Sequence, residues 1–282
     1  MDDIHSINEA INRKAGRKLI PSILVSLTIL ALVFGTISFA PILFGVLIWA
    51  AIMVALRELV HAYRAGGIDL PELPLQVVGT AVLVSAWYGR VSGLAVAMAI
   101  AIPNLLVFLL WRSSKDFLKR SSAATFAIFY IPFLAGFLLL LAHHDDGAAR
   151  ILTLVVLVSC NDTFAYIFGV LLGKHPLAPH ISPKKTWEGL IGSFLATTVG
   201  SSLVVHYALH NHWWIGAGIG LMAVVTSTWG DLLESAVKRD LAIKDMGAIL
   251  PGHGGILDRI DSVLFTAPAV WFALELIKHF KW

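Results

Sequence analysis

Between Ser235 and Asp261 the chain reads SAVKRDLAIKDMGAILPGHGGILDRID, and most of its chemistry-bearing side chains stand there. The stretch holds Lys238-Arg239, Lys244-Asp245, Pro251-Gly252-His253-Gly254-Gly255 and Asp258-Arg259-Ile260-Asp261. Glycines at 252, 254 and 255 let a backbone approach a ligand closely and turn its N–H groups toward an anion. A helix starting in the ILDRID run would also favour phosphate at its N-terminus. Asp258 and Asp261 would share one face of that helix. Their carboxylate oxygens suit Mg²⁺, which holds nucleotide phosphates through one or two carboxylates plus water. The residue types therefore describe a phosphate and metal site. A solvated loop would not require this density of Gly, His, Asp and Arg in one order.

Just upstream, Ser227, Asp231, Glu234 and Lys238 follow i, i+4, i+7 and i+11, one polar stripe on a helix. That helix is otherwise apolar from Trp213, so the stripe must face protein or a cavity rather than lipid. With carboxylates at both ends of the glycine segment, a shared cation is the economical reading. Two further blocks lie earlier. Asp162, beside Asn161, interrupts the apolar run Ile151–Gly173; it is either a functional intramembrane carboxylate or a helix–helix hydrogen-bonding group. Lys184 and Lys185 alone would be ordinary cytoplasmic cations. With Ser182, Thr186 and Glu188 around them at the mouth of an apolar run, binding of nucleotide phosphate is favoured.

The elements that position these residues follow from composition. Of 282 residues, 57% are hydrophobic and 14% charged, against about 25% charged in soluble domains. Mean hydropathy is +0.80. A polytopic all-α membrane protein is expected, because only helices or closed barrels satisfy backbone groups within lipid. Nine apolar runs are candidate spans: 19–40, 41–56, 75–89, 91–111, 122–142, 151–173, 189–209, 213–233 and 263–280. The second and third fall short of the roughly 20 residues needed to cross. With the N-terminus cytoplasmic and sides alternating, only Arg90, Arg150, Lys278 and Lys281 of the 21 Lys and Arg residues fall outside. The basic, apolar N-terminal stretch reads as a retained first span; Ile4, Ile7 and Ile11 before it could lie on the membrane surface. The whole chain, 1–282, reads as one membrane domain, with scaffold spans in 1–150 and catalytic spans and loops in 151–282.

Other features point away from chemistry. Cys160 excludes an intrachain disulfide, being the sole cysteine. His143-His144-Asp145-Asp146 falls on the outer side and reads as a solvated turn. Gly169/Gly173 and Gly216/Gly220 suit close helix packing. The net charge of +3 gives no sign of a nucleic-acid partner.

Ser235–Asp261 resembles the signature of the phosphatidate cytidylyltransferase (CDP-diacylglycerol synthase) family at every fixed position, from Ser235 through Lys238-Arg239, Lys244-Asp245 and His253-Gly254-Gly255 to Asp258-Arg259 and Asp261. Ser182-Pro183-Lys184-Lys185-Thr186 with Glu188-Gly189, and Asn161-Asp162-Thr163 with Ala165-Tyr166, are similar to two further family blocks. The resemblance implies transfer of CMP from CTP to phosphatidic acid in phospholipid biosynthesis, giving CDP-diacylglycerol and pyrophosphate. It implies one or two divalent cations, Mg²⁺, with a monovalent cation also compatible. Asp231 and Asp258 become the main expected metal ligands, with Asp261 and Asp245 as further ones. Lys238, Arg239, Lys244 and Arg259 are expected to hold phosphates, and His253, Gly254 and Gly255 to form the backbone cradle. Ser182, Lys184, Lys185, Thr186 and Asp162 are expected to contact substrate. A multi-pass inner (plasma) membrane location, a cytoplasmic active site and a homodimer are further implications. A CTP-dependent lipid kinase of the polyprenol kinase type, and an ion transporter lined by Asp162, Asp231 and Asp258, are the alternatives.

Overall fold

The computed structural model describes residues 19–247, 249 and 254–280. The N-terminal Ile4/Ile7/Ile11 segment and its basic cluster, and Pro251, Gly252 and His253, lie outside the described residues. The chain is helical almost throughout: α1 Leu19–Phe39, α2 Pro41–Ala65, α3 Glu72–Arg112, α4 Phe117–Ile128, α5 Leu134–Ala142, α6 Gly147–Leu172, α7 Trp187–Ala208, α8 Trp213–Asp240 and α9 Leu257–Phe280. A π-turn, Phe129–Phe133, joins α4 to α5 at Pro132, whose ring removes a helical donor. Seven of the described helical segments are long and apolar enough to cross a membrane, α4 and α5 counting as one. Along α1, α6 and α7 large apolar side chains such as Phe39, Leu171 and Leu195 face outward, as lipid contact requires.

The difference between nine expected spans and seven such helices has a physical origin in α3. Its 41 residues contain both runs 75–89 and 91–111. They are separated at Arg90, whose φ of 55° and ψ of −143° are not helical. The chain folds back there: a Cβ on Gly93 would run into the carbonyl oxygen of Ser85, eight residues earlier. In a straight helix those residues would be about 12 Å apart. Ala86 and Leu94 correspondingly press on the same glycine, Gly136 of α5. The single helix α3 of a simple count is thus two arms meeting at a reversal. The first apolar run, α1, is a 21-residue helix.

The second half packs most tightly. Gly216 and Gly220 of α8 lie against the backbone of α7 near Ser201 and Thr198, and Gly169 of α6 lies near Gly189 of α7. The expected close packing at these glycines is present. Between α6 and α7 the chain forms an antiparallel hairpin, β1 Pro176–Ala178 and β2 Ser182–Thr186, pairing Pro176 with Thr186 and Ala178 with Ser182.

The 143–146 turn differs from the solvated turn expected. His144 Nε2 lies 2.9 Å and Arg150 Nη1 3.0 Å from Glu275 Oε1 of α9, while Arg150 Nε lies 2.7 Å from Asp146. Arg150 is buried. Burial and the Arg150 charge hold the His144 pKa below its ordinary value. A buried cation needs paired carboxylates, and the turn supplies one of them.

Candidate active site

Three helix ends and the hairpin build the site. Thr186 caps α7: its Oγ1 accepts the Gly189 N–H at 3.1 Å, satisfying one of the donors left over at a helix start. Capping fixes the preceding strand, and Lys185 reaches across to Asp231 of α8, Nζ to Oδ2 at 2.7 Å. Ser235 Oγ donates to Asp231 Oδ1 at 3.2 Å. Arg239 Nε donates to the Ile181 carbonyl at 3.2 Å, tying the hairpin turn to the same helix.

The polar stripe on α8 packs against protein, with Ser227 and Glu234 buried and Asp231 and Lys238 partly exposed. Ser227 accepts a 3.0 Å hydrogen bond from Asn161 Nδ2. Lys238 Nζ sits between Glu234 Oε2 at 2.6 Å and Asp258 Oδ1 at 2.9 Å. Asp258, in the first turn of α9, also accepts the backbone N–H of Met246 at 3.0 Å and of Gly255 at 2.7 Å. One carboxylate thereby gathers both ends of the glycine segment. Gly254 has φ of +78°, and a Cβ there would meet the Asp258 carboxylate at 2.8 Å, so two constraints demand glycine.

The start of α9 is capped from far away in sequence. Glu58 of α2 accepts the Ile256 N–H at 3.1 Å and the Leu257 N–H at 2.9 Å. Gly247 and Gly255 close against the same carboxylate. A buried negative charge at a helix N-terminus is favourable and satisfies two orphan donors. Sequence reasoning missed Glu58, having treated residues 1–150 as scaffold. The available signal was a carboxylate deep in an apolar helix, obscured because Arg57 beside it makes the pair look like the end of a span.

The charges do not balance. Glu58, Asp162, Asp231, Glu234, Asp258 and Asp261 face Lys185, Lys238 and Arg259. Glu234 Oε1 is buried with no donor among the described residues, and Asp261, another buried carboxylate, lies beside it. Two such neighbours need a shared proton or a cation. Among the described residues no three His, Cys, Asp or Glu side chains form a ready-made metal cage. The acidic excess nevertheless fits a hard cation, since Mg²⁺ commonly relies on one or two carboxylates with water and substrate phosphate. Asp162 is exposed on α6, on the side where the charges of Asp231, Lys185 and Arg259 reach it.

Of the expected site residues, Asp162, Lys185, Asp231, Lys238, Gly254, Gly255, Asp258, Arg259 and Asp261 are brought together. Lys184 and Lys244 are exposed and enter no ion pair among the described residues. Ser182 lies in the hairpin ladder, and Asp245 is exposed on the α8–α9 link beside Gly254. Thr186 and Arg239 brace the hairpin. A cavity of about 290 Å³ lies elsewhere, among the α2–α3 and α3–α4 links.

The sequence comparison bears on the same residues. The family model described as "Cytidylyltransferase family" matches residues 21–277. The chain belongs to that family. A phosphatidate cytidylyltransferase of Mycobacterium leprae is 38% identical, over 94% of this chain and 90% of its own length. One from Mycobacterium tuberculosis is 34% identical over 94% of this chain and 84% of its own. One from Staphylococcus aureus is 32% identical over 85% and 95%. The cytidylyltransferase match runs through α2 and α3 as well as the acidic cluster, so Glu58 lies within it.

Proposed function

We infer that this protein is a phosphatidate cytidylyltransferase, transferring CMP from CTP to phosphatidic acid in phospholipid biosynthesis. The observation that carries the reading is the near full-length similarity to enzymes of that name. A phosphate oxygen of phosphatidic acid forms a bond to the α-phosphorus of CTP as the bond to the β-phosphate breaks, and pyrophosphate leaves. A phosphomonoester has a second pKa near 6, so the nucleophile is largely ionised at neutral pH and needs no strong base. The difficulty is electrostatic, because two polyanions must meet, and positioning with charge neutralisation is what the chain must provide.

Lys185 is suited to this task. Its pair with Asp231 is partly exposed and can exchange a carboxylate for a phosphate. Lys238 and Arg259 would supply positive charge deeper in the cluster, and the Gly254–Gly255 backbone, held by Asp258, is proposed to approach a phosphate. Lys184, Lys244 and Ser182 are proposed to reach substrate at the rim, and His253 to contribute to the phosphate cradle. Asp231 and Asp258 would hold Mg²⁺, with Asp261 and Asp245 as further oxygen donors. Bound there, the ion would neutralise phosphate charge and polarise the α-phosphoryl group. The site is proposed to open on the cytoplasmic side of the inner membrane, where CTP and a bilayer lipid can meet. Assembly as a homodimer belongs to the same proposal.

Labelled CTP tests the reaction. With purified protein, Mg²⁺ and phosphatidic acid, α-labelled CTP should yield labelled lipid and γ-labelled CTP labelled pyrophosphate. Recovery of γ-label in the lipid, with CDP released, would make the protein a lipid kinase and refute the proposal.

A further inference from the structure

The cavity away from the acidic cluster encloses about 290 Å³ between the α2–α3 link, at Gly67–Asp69, and the α3–α4 link, at Arg112–Asp116. Arg120, in the first turn of α4, lines it and is only 9% exposed. Its Nε donates to the Asp69 carbonyl at 3.3 Å and its Nη1 to the Ser113 carbonyl at 3.2 Å. Both acceptors are neutral, and no carboxylate of a described residue lies within ion-pair distance of its guanidinium. A buried cation held only by carbonyls carries an uncompensated desolvation cost. The contrast with Arg150, equally buried but paired with two carboxylates, is direct.

The rest of the lining sets Arg112, Lys115 and Lys119 against Asp69 and Asp116, so with Arg120 the cations outnumber the carboxylates. Lys115 and Lys119 are exposed and form no ion pair among the described residues. Arg112 reaches Asp69 only at 3.6 Å, a loose surface pair that Asp69 shares with Arg64. Beside these residues in sequence stand Trp111 and Leu118, 85% and 77% exposed, an aromatic and an apolar side chain of the kind that anchors at the membrane interface. The cavity lies at the same end of the bundle as the acidic cluster, because Gly66 packs on Leu241 at the end of α8. It contains none of the residues assigned to the reaction.

We propose that this cavity binds the phosphate-bearing headgroup of an anionic phospholipid, at a site separate from the one where the reaction occurs. A phosphoryl oxygen supplies the charge that Arg120 lacks, Lys115 and Lys119 close on the headgroup from the rim, and the acyl chains leave past Trp111 and Leu118. Free inorganic phosphate shares the anion chemistry but not the lipid-facing flank. The positive-inside tendency alone explains cations on exposed links; it does not explain a buried one without a counter-ion.

The test reads stability rather than turnover, so it stands or fails apart from the proposed reaction. Full-length protein in phosphatidylcholine nanodiscs is melted at rising fractions of phosphatidylglycerol. The unfolding midpoint should rise for the wild type, by ligand linkage. Lys115→Ala/Lys119→Ala should bind the lipid roughly thirtyfold more weakly, from about 1 kcal/mol for each basic residue near an anionic headgroup. A control, Arg57→Ala/Lys174→Ala, removes two other cations and should keep the wild-type response. No response of the wild type, or equal losses in both double variants, overturns the proposal. Inorganic phosphate reproducing the shift in neutral nanodiscs would make this a soluble-anion site and overturn the lipid assignment.

Discussion

The carboxylate of Glu58 accepts the backbone N–H of Leu257 at 2.9 Å, joining α2 to the first turn of α9 across 199 residues of chain. The apolar first half of the protein therefore holds the loop on which the acidic cluster depends. Glu58→Ala should leave two buried N–H groups without acceptors, at about 1–3 kcal/mol each. Glu58→Gln keeps one acceptor oxygen and should cost less. Thermal unfolding in detergent should rank wild type, Glu58→Gln and Glu58→Ala in that order, with turnover falling in parallel. An alanine variant as stable and active as the wild type would show that the clamp is dispensable.

Asp231→Asn and Asp258→Asn should each abolish turnover, since each removes a charged group proposed to act on metal and phosphate. Their stabilities should differ. Asp231 contacts Lys185 and Ser235 at a partly exposed position, so its loss should stay within about 0.5 kcal/mol. Asp258 carries Lys238, Met246 N–H and Gly255 N–H together, and hydrogen bonds to charged groups are worth about 1.5–3 kcal/mol. Melting curves with activity assays separate the two roles; equal melting of both variants would contradict the structural one.

Much of this arrangement was legible in the sequence. The stripe Ser227–Asp231–Glu234–Lys238 needed only the helical period, and the start of a helix in ILDRID followed from the run after the glycines. What escaped has a common cause. Glu58 is brought to Leu257, and Lys185 to Asp231, by helix packing that no local pattern encodes. The part Thr186 plays as a helix cap was equally hidden: its hydroxyl accepts the Gly189 N–H, which leaves its own O–H free to donate. The reversal at Arg90 could be suspected from two apolar runs divided by one arginine. That it needs glycine at 93 became visible only once Ser85 was placed.

The proposed topology places the 143–150 turn and the α8–α9 link on opposite sides of the membrane. In a Cys160→Ser background, single cysteines at the exposed positions Ala148 and Ala242 should react with an impermeant reagent from opposite faces. Reaction of both from one face would refute the alternation of spans, including two arms within α3.

Lys238 gives the sharpest test of the charge arrangement. It is the cation paired with both Glu234 and Asp258, and neither carboxylate has solvent to replace it: their side chains are 2% and 6% exposed. Lys238→Met should therefore cost about 3–5 kcal/mol, the usual penalty for leaving one partner of a buried pair uncompensated. Adding Glu234→Gln removes one of the orphaned charges, so the double variant should be more stable than Lys238→Met alone, a non-additive result expected for residues in direct contact. Activity should not return with that stability, because the positive charge proposed to face phosphate is still missing. Raising Mg²⁺ separates the remaining interpretations. If the cation's charge can stand in for the lysine, Lys238→Met should gain more stability than wild type as Mg²⁺ rises. A Lys238→Met protein as stable as the wild type would show that this lysine does not balance the buried carboxylates, and a double variant with normal turnover would show that it does not serve the substrate.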